Sequence, residues 1–140
     1  MIEIVPFLPE HARQIRQDGT DAPEIPDEAL AVMARGPFAG TLLLDGQPAA
    51  CAGIALYWPG RGEAWAIVDR RASECFLALH RAVRRALDEC GVRRVEALVD
   101  IDFERGHRWA RSLGFRPHSE PLEAYFPSGR SAVLYERVRW

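Results

Sequence analysis

The stretch Ala66 to Phe76 reads AIVDRRASECF, and its residue types could hold an anion. An apolar run stops at Asp69, Arg70 and Arg71 follow, and Ala72, Ser73 and Glu74 open a long helical pattern. A turn that passes straight from strand to helix aims backbone N–H groups outward, and arginines add bidentate donors that match phosphate oxygens. Glu74 opposes this. A carboxylate in the first helical turn suits the helix dipole but repels a phosphate. Two readings therefore stand for this turn, an anion site or a plain helix cap.

Other reactive side chains are scattered. Cys75 stands at a helix start, where a thiol can be activated, but Glu74 beside it disfavours the thiolate, and a buried role is expected. His107 has the chemistry of a general base, yet its place in a helical pattern predicts a surface histidine. Trp58, Trp65 and Trp109 read as core or pocket lining, with Trp65 also a candidate for binding a substrate. Cys51, Cys75 and Cys90 form no CxxC pair, and His11, His80, His107 and His118 show no zinc spacing, so no metal site is expected. All 18 basic residues are arginine, which excludes a lysine nucleophile or Schiff base.

The whole chain sets the frame for these residues. Its 140 residues suit one domain, 1–140, and 48% hydrophobic with 27% charged residues is an ordinary globular composition. A net charge of −2 gives no sign of a nucleic-acid or membrane partner. Arg81, Arg84, Arg85, Arg93 and Arg94 interleave with Asp88, Glu89 and Glu96, which reads as a solvated face. No apolar stretch approaches the roughly 20 residues that span a bilayer. No basic start and apolar run mark a signal peptide. Unpaired cysteines suit a reducing compartment, and the cytoplasm is the expected location.

The elements follow from pattern and punctuation. Residues 2–7 read as a strand, and Pro9 opens a short helix. A loop over 18–26 leads to a helix capped by Asp27 and stopped by Gly36. Three strands follow, joined by the Asp45-Gly46 and Pro59-Gly60 turns. Ser73 to Cys90 is the longest helix, with Phe76, Leu77, Leu79, Val83 and Leu87 near one face. Then come a strand over VRRVEALVD, a helix capped by Asp102 and ended by Gly114, a strand through PLEAYF, and a closing strand over SAVLYERV. The order is β-α-α-β-β-β-α-β-α-β-β, an α/β fold with a mixed sheet and helices on both faces. The C-terminal VLYERVRW can form an exposed edge or the seam of a homodimer.

This order, with GVRRVEALV after a long helix and a helix ending WARSLGF, resembles the GNAT superfamily of acyl-CoA-dependent N-acetyltransferases. The sequence likeness runs from about Gly62 to Phe115, and divergent phage and prophage members of that superfamily look similar. The resemblance implies an acyltransferase that moves an acetyl or other acyl group from acetyl-CoA or another acyl-CoA to an amine acceptor. It implies that the main chain of Ile67, Val68 and Asp69 holds the pantetheine, and that Arg70, Arg71 and Ser73 meet the pyrophosphate. RASECF falls on the family's Arg/Gln-x-x-Gly-x-Gly/Ala loop, with Glu74 and Phe76 where glycines are expected. Glu63 falls where some members carry a general base; otherwise it is a solvated charge after the Pro59-Gly60 turn. Ala110 replaces a tyrosine that protonates the departing thiolate in many relatives, leaving Tyr57, Tyr125 or Tyr135 as substitutes. These departures also fit a fold that has given up catalysis for an interaction role, or one that binds CoA without turnover.

Overall fold

The structure is a computed structural model that describes residues 1–16 and 24–140. Most of the loop expected over 18–26 lies outside the described residues. The elements are β1 (Ile2–Pro6), α1 (Pro9–Arg13), α2 (Asp27–Ala34), β2 (Phe38–Leu44), β3 (Gln47–Trp58), β4 (Arg61–Val68), α3 (Phe76–Glu89), β5 (Arg94–Asp100), α4 (Glu104–Ser112), β6 (Arg116–Pro117) and β7 (Ala132–Val138). The strands make one seven-stranded sheet ordered β1-β2-β3-β4-β5-β7-β6. Among the described residues only β4 and β5 pair in parallel, because α3 carries the chain back across the sheet between them. The other neighbours are antiparallel. The element order is the one the sequence implies.

Alternating side chains feed two layers of core. On one face α1 and α2 cover Phe7, Ile15, Leu30, Cys51 and Ile67. On the other, α3 and α4 close over Leu87, Val95, Ala110, Leu113, Phe115 and Tyr135. The Asp45-Gly46 turn forms as expected, with both residues at positive φ (50° and 81°), the geometry that matches the twist of the flanking strands.

Several local expectations are corrected. The long helix does not begin at Ser73. Arg70–Cys75 is a 3₁₀ turn and α3 starts at Phe76. The cause is Asp69, whose side chain accepts the Arg71 amide and whose carbonyl accepts the Ala72 amide, winding the chain tightly. Asp27 lies inside α2 after Pro26 and pairs with Arg13 instead of capping. Asp102 does not cap α4. Asp100 takes the Asp102 amide and sets that turn. PLEAYF makes only an isolated bridge, Leu122 to Ala132, because Pro121 cannot donate to a ladder and Ala124 sits at φ 52°. The short strand lies earlier, at Arg116–Pro117.

Candidate functional site

The parallel seam is short. β4 and β5 pair at Arg61↔Arg94, Gly62↔Val95 and Glu63↔Glu96, and among the described residues the ladder goes no further. β4 itself continues to Val68 along β3, so beyond Glu63 its other edge has no ladder partner among the described residues. Ala66, in the middle strand of a seven-stranded sheet, is exposed. Its exposure, together with the end of the β4–β5 ladder at Glu63, fits a gap between the two strands beyond that residue. Ile67 is buried and Val68 half-buried in the same stretch. Main-chain groups on a parted edge carry unused hydrogen-bonding capacity, which fits an extended, amide-bearing ligand.

Glu63 is the last paired residue, at the point where the strands part. It is half-buried, and burial pushes its carboxyl above the usual range, while a hydrogen bond from the Tyr57 hydroxyl (3.0 Å to Oε2) pulls the other way. It is therefore a desolvated carboxylate with a neutral partner, not a charge on a solvated turn. The desolvation moves it toward the strength a general base needs.

The Tyr57 position comes from a β-bulge. Leu56 pairs Gly62 and Trp58 pairs Arg61, so Tyr57 is an extra residue. A bulge sets two successive side chains toward one face, here the face that carries Arg61 and Glu63. The Arg61 guanidinium lies 4.5 Å from the Tyr57 ring centroid and 4.7 Å from that of Trp58. Arg61 is fixed in turn by a fork to Glu96, both contacts at 2.9 Å. Arg94 also donates to Glu96 (2.6 Å) and reaches Glu136 (2.7 Å), which meets His118 (2.6 Å). Two arginines hold the Glu96 carboxyl down to about 2, Arg61 foremost. Tyr57 is half exposed, but its hydroxyl turns toward the sheet, and burial with the nearby Glu63 charge pushes it up to about 12. Tyr125, on the connection between β6 and β7, feels the Glu63 charge as well. The sequence names Tyr57 only as one of three candidate tyrosines, because the register shift that places it leaves no mark in the pattern.

The turn after β4 is more committed than an open phosphate loop. Asp69 is buried and accepts from the amides of Arg71 and Arg16, both at 3.0 Å, which holds its carboxyl below the ordinary range against the cost of burial. Arg71 folds back, donating to Asp69 (3.3 Å) and to the Pro48 carbonyl (3.2 Å), while its side chain stays 46% exposed. Arg70, Ser73 and Glu74 are exposed. Phe76 is not core: it is 40% exposed, stacked on His80 and edge-on to Trp109. Cys75 is buried as expected, its thiol pushed up by burial and by Glu74.

Of the remaining candidates, Ala110 is buried in the core. Tyr135 is wholly buried, its hydroxyl 2.8 Å from His107 Nδ1. The expectation of a surface His107 is corrected. It is 7% exposed, its Nε2 donating to the Ile101 carbonyl at 3.0 Å and its Nδ1 accepting from Tyr135. It lies on the buried side of α4, which ties the helix to β7. Trp58 is exposed, whereas Trp109 is half-buried and donates to His80. Trp65 packs on Phe7, and its Nε1 is a buried donor with no partner among the described residues. Gly53 makes room for it, since a Cβ there would meet the Trp65 ring at 2.6 Å. Among the described residues no group of three or more His, Cys, Asp or Glu side chains could hold a metal ion.

No protein-family model matches the chain, and no curated protein does. Solved structures do match over nearly its whole length. Ard1 from Thermoplasma volcanium superposes with a TM-score of 0.79 at 19% identity, covering 99% of this chain and 98% of that one. The ribosomal-protein-S18-alanine N-acetyltransferase from Escherichia coli gives 0.77 at 20% identity, covering 99% and 94%. A GNAT-family acetyltransferase from Streptococcus pneumoniae gives 0.72 at 17%, covering all of both chains. The chain has the fold of the GNAT acetyltransferases.

Proposed function

We propose that the protein is an acyltransferase that moves an acetyl group, or another acyl group, from CoA to an amine. The carrying observation is the parting of β4 from β5 immediately beyond Glu63, with a desolvated carboxylate and a hydroxyl at its mouth. The neighbouring structures described as acetyltransferases support the reading through shared fold. Acetyl-CoA supplies the activated acyl carbon, whose bond to sulfur breaks as a bond to the amine nitrogen forms. The edge of Ile67, Val68 and Asp69 binds the pantetheine arm through main-chain groups. Arg70, Arg71 and Ser73 bind the pyrophosphate, with arginine charge replacing amides that Asp69 already occupies. Glu63 removes the proton that keeps the acceptor an ammonium, because an ammonium has no lone pair to attack with. The reaction belongs to one domain, residues 1–140, in the cytoplasm, where the free Cys51, Cys75 and Cys90 stay reduced.

A second reading has one observation in its favour. Arg71 turns inward, and Glu74 and Phe76 stand on the turn in place of glycines. That arrangement suits a protein that keeps the fold for interaction, without CoA. Calorimetric titration with acetyl-CoA and with free CoA separates the two. Micromolar binding supports the acyltransferase; no binding at millimolar concentration supports the interaction protein. Turnover is then sought with a panel of a small diamine, a lysine-containing peptide and a peptide with a free N-terminal alanine.

A further inference from the structure

We propose that the groove between α4, β6 and β7 binds a small zwitterion whose ammonium and carboxylate stand about 5 Å apart, as in an ω-amino acid or a dipeptide. The groove is separate from the β4 edge and does not depend on the acyl-transfer reading. β7 and β6 lie beyond β5 in the sheet. Val133 and Tyr135 lie out of phase with Glu136, which stands in register with Glu96 and, through it, with Glu63. They therefore point to the opposite face of the sheet, the one that α3 and α4 cover.

A cavity of about 330 Å³ opens there, within the size range of small-ligand sites. Its floor is Val133 and Tyr135, and Pro117 stands on the β6 side. The floor is fixed and offers no spare polar atom. The Tyr135 hydroxyl is bonded to His107 Nδ1, and His107 Nε2 donates to the Ile101 carbonyl. The charges sit at the two ends, Glu104 in the first turn of α4 and Arg111 in the last. Both are exposed, and neither side chain makes an ion pair or a hydrogen bond among the described residues. The Arg111 guanidinium lies 5.9 Å from the Tyr135 ring centroid. That contact uses the face of the guanidinium and leaves its N–H edge for a ligand. Burial pushes the Tyr135 hydroxyl up, Arg111 draws it down and Glu104 pushes it up again, so both charges bear on the same ring.

Spacing selects the ligand. Seven residues of helix set Glu104 and Arg111 about 10.5 Å apart along the axis. Two charge-assisted contacts of about 2.8 Å leave about 5 Å between the charges of the ligand. A plain anion is repelled by Glu104 and a plain cation by Arg111, whereas a zwitterion satisfies both. An α-amino acid is too short, since one carbon carries both of its groups. An extended dipeptide or 4-aminobutyrate has the span, and its middle lies on the floor of Val133 and Tyr135.

The test titrates the full chain with glycylglycine and with 4-aminobutyrate, followed by nitrogen-15 NMR, with glycine, butylamine and butyrate as controls. The two zwitterionic probes should bind at least about 10-fold more tightly than the controls, with shifts concentrated on α4, β6 and β7. Glu104→Gln and Arg111→Gln should each weaken the better probe about 10-fold. Both side chains are exposed, so the variants keep the fold, and their unfolding midpoints check this. Tighter binding of glycylglycine assigns the groove to the two ends of a short peptide; tighter binding of 4-aminobutyrate assigns it to ω-amino acids. No binding of either probe at about 10 mM overturns the proposal. Controls that bind as well as the probes, or variants that bind like wild type, overturn it too. Failure to bind acetyl-CoA leaves it standing.

Discussion

Glu96 is the keystone of the charged side of the site, and Glu96→Gln has a calculable cost. The carboxylate side chain is 9% exposed and receives three short contacts from Arg61 and Arg94. A carboxyl held at about 2 instead of 4.5 adds about 3 kcal/mol to stability at neutral pH. The sign follows from the direction. The folded-state value is depressed, so the contribution is complete above the unfolded-state value and is lost as pH falls from about 4.5 towards about 2. Glutamine can accept one guanidinium but turns an N–H₂ toward the other, leaving a buried donor facing a cation. Glu96→Gln should therefore destabilise by about 3 kcal/mol at pH 7, and the gap from wild type should narrow to about half by pH 3. Urea unfolding of both proteins at pH 7, 5 and 3, followed by tryptophan fluorescence, measures this directly. A gap that is the same at pH 7 and pH 3 would refute the reasoning, because the loss would then come from packing and not from charge. The substitution also releases Arg61 from below the Tyr57 ring, so it should lower turnover by more than its stability cost explains at temperatures where both proteins are folded.

Glu63→Gln should cut turnover at neutral pH by about 100-fold or more with acetyl-CoA affinity unchanged, checked by steady-state rates and calorimetry. Because burial raises the Glu63 carboxyl, the acid limb of wild-type kcat/KM should lie above the ordinary glutamate range, and an acid limb at or below that range would deny it the role of base. Arg71→Ala should weaken acetyl-CoA binding about 10-fold, the loss of one charge-assisted contact; unchanged affinity removes the turn from the binding site. Tyr135→Phe should cost about 1–3 kcal/mol in urea unfolding, since it strips a buried partner from His107, and should leave acetyl-CoA affinity as it was.

The fold was legible because its signals are local and redundant. Asp45-Gly46, Pro59-Gly60, Gly91 and Gly114 end their elements where the sequence places the breaks, and all four glycines sit at positive φ. Alternation along β5 and periodicity along α3 then choose between strand and helix. The misplaced details share one physical cause: a short polar side chain can cap, wind or pair, and its sequence does not say which. Asp69 winds a 3₁₀ turn, Asp27 finds Arg13, and Asp100 does the work expected of Asp102. His107 was misplaced because helical periodicity tolerates a polar residue on the inner face if both ring nitrogens find partners, and the partners lie 6 and 28 residues away.

The site was only half legible, and the half that was missed depends on register. Strict alternation puts Tyr57 and Trp58 on opposite faces of β3, so Arg61 could stack on only one of them. One extra residue between Leu56 and Trp58 sets both rings on the same side, and Arg61 lies over both. A bulge of this kind leaves no mark in composition or periodicity, because an aromatic pair before a Pro-Gly turn suits a regular hairpin end equally well. Yet it decides whether the Tyr57 hydroxyl reaches Glu63.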